Sequence, residues 1–436
     1  MTEEMNLEEK EQTQNLTGSS TQLNTTSGEA SATCDYPAGK TKAWLTVLGC
    51  FLVQFSTVAS LNAFGAFEDF YASTFLPSSS ASRISWIVGL ALLLELGLGI
   101  VGGKLDDLGY TRATLTTGSV IYILLHALSR KGRSILSSHS CPRTGHGNRY
   151  WAVIRRALVT VARHFPHRQA LVMGIVMSSG SWGGAIFSIM LNHLIPKYGF
   201  ASGVRDTAYF ALGLLFTGNL LITVPPRSQE SESDVPIGQT NLLYVPYILT
   251  IASGVIGQLG AFFPLSYIQL FADNHHMAKG FVFYSLAAMT FSTGFGRLIP
   301  AYFADKHGVA GTYIICGFML AGCAFIMFAA SHPGGLFVFC IFYGFFYGGT
   351  TSLYPSVVTA LVPSEIDKGK LVGVAIAPIG ISALISSPIS GKIVGNSEDY
   401  QWWKGIVWTG SLLVAAGIIQ LIGWVIHNKK MRSVST

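Results

Sequence analysis

Runs of about twenty predominantly apolar residues recur along most of this chain, and that repetition constrains the fold more than any other feature. At 1.5 Å per residue such a run crosses the roughly 30 Å hydrocarbon core of a bilayer as one helix. The runs lie near 43–66, 84–103, 113–128, 169–191, 206–224, 242–266, 279–302, 311–330, 334–358, 369–391 and 405–427. Composition agrees. Half of the 436 residues are hydrophobic, only 11% are charged, and the mean hydropathy is +0.45. A soluble chain carries about 25% charged residues. The 48 glycines fit as well, because small residues let membrane helices approach closely. The reading is an all-α polytopic membrane protein.

The same numbers exclude other classes. A net charge of +6 suits basic loops on one side of a membrane, and no basic helix interleaved with aromatics points to nucleic acid. The six cysteines (34, 50, 141, 316, 323 and 340) show no paired spacing, so neither a disulfide framework nor a metal site is expected. No nucleophile–base pair, metal cluster or phosphate loop marks an enzyme, and no cofactor is expected. Residues 1–42 are mostly Ser, Thr, Glu, Gln and Asn and read as a disordered cytosolic tail, where the sequons at Asn15 and Asn24 would be idle.

Two polar stretches echo each other. The first runs Gly102-Gly103-Lys104-Leu105-Asp106-Asp107-Leu108-Gly109-Tyr110-Thr111-Arg112. The second runs from Gly296-Arg297 to Ala304-Asp305-Lys306-His307-Gly308. Each follows an apolar run and ends in Asp, a Gly turn and basic charge. A duplicated transporter would show one in each half. The halves are expected at 43–224 and 242–427, joined by a cytosolic linker at 225–241 and followed by a basic tail at 428–436.

If the two stretches do the same job they share a side of the membrane, and an even number of spans separates them. Five are visible. The missing one belongs between Leu128 and Ala157, where seven Lys and Arg crowd the sequence. A charge at the bilayer centre costs about 2.5–3.5 kcal/mol even on a lenient scale, so this segment cannot span as written. Codons for Ser140 to Ala152 can be chosen so that the next frame reads His-Ala-Gln-Gly-Leu-Val-Met-Gly-Ile-Gly-Ile-Gly-Leu, a small-residue-rich membrane helix. Our hypothesis is that about 129–156 is a frameshift or splicing error in the gene reading. A verified, uninterrupted transcript encoding the basic stretch would refute it.

The two stretches resemble motif A of the major facilitator superfamily. In the first copy Gly102 with Asp106 and Gly103 with Asp107 both fit the register. Further runs are similar to the fungal monocarboxylate-transporter-like branch. They are Leu61-Asn62-Ala63-Phe64-Gly65-Ala66-Phe67, Arg163-His164-Phe165-Pro166-His167-Arg168-Gln169-Ala170, Gly260-Ala261-Phe262-Phe263-Pro264-Leu265-Ser266-Tyr267, Ser292-Thr293-Gly294-Phe295-Gly296-Arg297 and Ser386-Ser387-Pro388-Ile389-Ser390-Gly391. The resemblance covers about 43–128 and 157–427. It implies twelve helices in two six-helix halves, both tails cytosolic, and a small organic anion or related metabolite bound near the midplane, with or without a proton, as the halves rock.

The resemblance also assigns roles. Gly103, Asp106, Asp107, Gly109, Arg112, Asp305, Lys306 and Gly308 would latch the halves on the cytosolic side. Arg297, deep in an apolar run, would engage a substrate carboxylate, whose geometry guanidinium matches. The plainer reading is a buried ion pair, with Glu95 as a candidate, or a side chain reaching the interface. Proton-coupled animal members carry Asp one turn before this Arg, where Thr293 stands here, and a Lys in the first helix, aligned near Leu61. Glu95 could replace that relay. Asn62, Gln258, Gln269 and Tyr267 are polar groups on apolar helices, suited either to orienting a ligand or to interhelical hydrogen bonds. A membrane sensor that no longer transports, or an inactive remnant, is the alternative. The membrane is expected to be the plasma membrane or that of an organelle.

Overall fold

In the computed structural model, residues 40–62, 93, 169–222, 244–361, 368–395 and 400–435 are described. Nine α-helices occur among them: α1 Lys40–Asn62, α2 Gln169–Tyr198, α3 Phe200–Leu221, α4 Val245–Asn274, α5 Lys279–His307, α6 Val309–Ile326, α7 Pro333–Ala360, α8 Lys368–Val394 and α9 Trp402–Ser435. A 3-10 turn, Met327–Ala329, extends α6. Seven helices are long and apolar enough to cross a membrane, and α3 and α5 have the length but are more polar. Each matches one apolar run of the sequence. The run near 84–103 apart from residue 93, the run near 113–128, the segment 129–156, the linker 225–241, Glu95 and the whole first polar stretch (Gly103, Asp106, Asp107, Gly109, Arg112) lie outside the described residues.

Two boundaries differ from the sequence expectation. The second polar stretch is not a loop. It is helical through His307, and the break falls on Gly308 alone, at φ 97°. That conformation suits glycine, and it makes Gly308 both the end of α5 and the start of α6. The basic tail is not separate either. α9 continues to Ser435, because Lys, Met and Arg are good helix formers and only the apolar pattern stops near 427.

Helices α4 to α9 form a connected group. α4 packs on α8 and α9, α9 on α6, α6 on α7, and α7 on α5. Its core joins Phe263, Tyr267, Met289, Leu320, Phe339 and Tyr343, all buried. Side-chain hydroxyls stitch the helices through backbone carbonyls. Tyr247 donates to Leu371 O at 2.8 Å, Tyr343 to Ala261 O at 2.9 Å, Ser382 to Val255 O at 2.7 Å and Ser386 to Leu259 O at 2.7 Å. Such bonds, each worth about 0.6 kcal/mol on average, replace the hydrophobic drive that lipid removes. α1 packs against α2 and α3, and α2 also lies along α5.

Candidate functional site

The α2–α5 seam gathers the polar chemistry. The helices run antiparallel. From α2 come Ala170, Leu171, Gly174, Met177 and Trp182, and from α5 come Asp305, Ala301, Arg297, Phe295 and Gly294. Gly174 and Met177 on α2, and Gly294, Arg297, Ala301 and Asp305 on α5, recur every three or four residues, the spacing of one helix face. From Gly294 to Asp305 the contact spans about 16 Å at 1.5 Å per residue, roughly half the hydrocarbon thickness.

At one end sits Asp305. Its Oδ2 accepts from Leu171 N at 3.0 Å and its Oδ1 from Ala170 N at 3.3 Å. These N–H groups belong to the first turn of α2, which has no partner inside its own helix. α2 carries no acidic residue in that turn. Asp305, 135 residues away, supplies the negative charge that the positive end of the helix dipole favours. Because Asp305 is exposed, the attraction is worth about 0.3–1 kcal/mol. Ala301 stands one turn back from Asp305. It is buried, and an added Cβ at Gly174 would approach its side chain at 3.1 Å and Arg297 O at 2.6 Å. Only two small residues let the backbones meet there.

Arg297 follows. It is half-buried, and its Nη1 donates to Met177 O at 2.6 Å. That acceptor is a backbone carbonyl of α2. At the far end Trp182 lies against Gly294, where any Cβ would collide with the indole. Its ring is 5.4 Å from Phe295, edge on, and 6.2 Å from Phe51 of α1.

The remaining candidates scatter. Lys306 points away, its Nζ 4.4 Å above the Tyr302 ring, and it complements the negative end of α5. Tyr267 is buried and donates to Ser387 O at 3.0 Å, which ties α4 to α8. Gln258 and Gln269 are half-buried and share one face of α4, being about three turns apart, while Tyr267 lies on the opposite face. Asn62 is the last residue of α1. Thr293 is buried and spends its hydroxyl within α5, on Met289 O at 2.9 Å. Sequence reading missed Trp182 and the first turn of α2. Gly174, in an otherwise apolar stretch, was the available signal for a close helix contact. No group of His, Cys, Asp and Glu suited to a metal ion occurs among the described residues.

Comparison with known proteins places this arrangement. The sequence profile described as Major Facilitator Superfamily matches residues 157–366 and 249–435. An MFS-type transporter of Ophiocordyceps sp. is 30% identical over 405 residues, covering 89% of this chain and 88% of that one. The aspyridones efflux protein of Emericella nidulans is 28% identical, over 83% of this chain and 74% of its own length. The crystal structure of the fucose:proton symporter of E. coli shares the fold, with a TM-score of 0.61 at 15% identity over 87% of this chain and 98% of that one. With its long apolar helices, this is an integral, multi-pass membrane protein built as a transporter. The chain belongs to the Major Facilitator Superfamily.

Proposed function

We propose that this protein is a secondary transporter of the monocarboxylate-transporter-like branch that moves a small organic anion by alternating access. One observation carries the reading. A guanidinium deep in a membrane helix, Arg297, reaches across to α2, where its Nη1 donates to the Met177 carbonyl. A charge-assisted bond to a carboxylate is shorter and about twice as strong as a neutral one, so an anion entering the seam would outcompete that carbonyl. Binding substrate would thus loosen one of the ties that holds the halves together.

Asp305 would be the other tie. An ionic bond to a neutral partner contributes about 1.5–3 kcal/mol, and the Asp305 contact about 0.3–1 kcal/mol. Together they bias the equilibrium between two states without locking it, since a complete switch takes about 5.5 kcal/mol. On the Lys/Arg distribution the Asp305 end would face the cytosol, and the two ties would hold the transporter closed on that side. Thr293 removes the acidic partner a proton relay would use. The name of the Emericella nidulans relative supports export as the direction.

Purified protein in liposomes, loaded with labelled carboxylates and assayed with and without a pH gradient, tests this. Arg297→Ala is expected to lower kcat/KM for a carboxylate at least 10-fold with the fold intact, and Arg297→Lys to restore part of it. Normal carboxylate transport by Arg297→Ala would remove the site. A second reading, a chain that has lost transport, rests on the basic segment 129–156. A wild-type chain inactive on every solute, encoded by a verified transcript, would favour it.

A further inference from the structure

α9 is longer than the hydrocarbon core requires. Its 34 residues rise about 51 Å. Its start is marked by an aromatic group. The rings of Tyr400 and Trp402 are 5.3 Å apart, Trp403 is 57% exposed, and Lys404 Nζ lies 5.7 Å from the Trp403 ring. Such rings sit at the headgroup level of a membrane. The opposite headgroup layer lies about 40–45 Å away, or about 27 to 30 helical residues further on. Counted from Trp402, that is the turn carrying Lys429, Lys430, Met431 and Arg432.

All four are exposed. No Asp or Glu occurs anywhere in α9, and the first acid of α4 is Asp273, at its far end. The turn is also held in place. Lys430 Nζ lies 5.0 Å over the Tyr244 ring, and Tyr244 Oη is 2.7 Å from His427 Nδ1, with the two rings edge to face at 6.1 Å. Burial pushes the Tyr244 phenol above its ordinary range. Tyr244 is the residue on which α4 begins. These contacts tie the end of α9 to the start of α4 and so restrain the rotation of α9 there.

We propose that the α4–α9 corner is a binding site for the headgroup of an anionic phospholipid, with Lys429 and Lys430 as its contacts and Tyr244–His427 as the brace. The Lys/Arg distribution assigns this leaflet to the cytosol, where anionic lipid is concentrated. Each basic residue near such a surface favours the anionic lipid about fivefold, so the pair favours it about 25-fold.

The full chain is reconstituted in nanodiscs of phosphatidylcholine, with or without phosphatidylserine. Retained lipid is counted by native mass spectrometry, and amide exchange is followed over 427–435. Wild type is expected to retain phosphatidylserine over phosphatidylcholine, with slower exchange in that segment. The double variant Lys429→Gln, Lys430→Gln should lose most of both effects, and the variant lies on an exposed helix end where folding is not at stake. Equal retention of the two lipids by wild type, or an unchanged preference in the variant, overturns the proposal. So does equal protection by free inorganic phosphate in phosphatidylcholine discs, because the ligand would then be a free anion and not a lipid.

Discussion

Along α5, the contact with α7 and the contact with α2 are made of different material. Toward α7 the backbones touch. An added Cβ would fall on the Phe345 backbone at Gly296, on the Met289 backbone at Gly344 and on Thr293 O at Gly348. Ser292 Oγ donates to Ile341 O at 2.6 Å and Ser352 Oγ to Arg297 O at 3.3 Å. Toward α2 there is one such approach, at Gly174. The rest is side-chain tips: Asp305 on two N–H groups, Arg297 on a carbonyl, Trp182 on Gly294. Backbone contact has no side chain to withdraw, so opening it strands polar groups in lipid. A tip can exchange its partner for water or a ligand. The α7 side is therefore expected to hold as a rigid half, and the α2 side to work as a joint.

Paired glycine substitutions test this contrast most severely. Gly296→Ala puts a methyl group on a carbonyl that cannot move without shifting α7. Overpacking costs about 1–3 kcal/mol and sometimes more, and against backbone the upper end is expected, read as loss of monodisperse protein in detergent. Gly174→Ala should leave yield and thermal stability close to wild type while prising the joint apart, so that cysteines introduced beside Ala170 become accessible from the Asp305 side. If both variants fold equally well, or fail equally, the distinction between half and joint is wrong.

A smaller effect is expected at Asp305. Asp305→Ala removes the borrowed cap of α2, worth about 0.3–1 kcal/mol at an exposed site. That is a shift of about two- to fivefold in the balance of open and closed forms, visible as a changed distance distribution between spin labels on α2 and α5. Asp305→Asn should keep part of the capping and shift it less. The shift should shrink in high salt. A change in melting temperature with no change in the distances would make Asp305 a plain helix cap.

How far this was legible in the sequence follows from what each contact depends on. Helix identity depends on local hydropathy, so every described helix was visible as an apolar run. Arg297 stood out because a charge among Phe, Leu and Ile is locally anomalous. Its partner did not. Met177 contributes a carbonyl, which every residue has, and nothing in its side chain advertises the bond. The same holds for Ala170 and Leu171, whose N–H groups matter only because they begin a helix. Asp305 was singled out by its repeat with the first polar stretch, yet the helix it caps lies 135 residues away. The end of α9 is not legible in the apolar pattern, which stops near 427, because the backbone follows helix propensity and continues through Lys429 to Ser435.

The smallest expected effect is the one that tests whether the joint is graded along its length. At the Asp305 end it is polar; at the Trp182 end it is aromatic, with the indole Nε1 buried and without a hydrogen-bond partner among the described residues. An unpaired buried donor costs about 1–3 kcal/mol. Trp182→Phe removes that donor and keeps a ring for Phe295 and Phe51, but the smaller ring leaves a void whose cost is of the same order. The two terms oppose, so the melting temperature should stay within about 3 °C of wild type. Trp182→Leu loses the ring contacts as well, at about 0.5–1.5 kcal/mol each, and should fall further. A loss with Trp182→Phe as large as with Trp182→Leu would mean that the indole N–H has an acceptor after all. The joint would then be pinned by polar bonds at both ends, and separating the halves would demand the same exchange of partners at Trp182 as at Asp305.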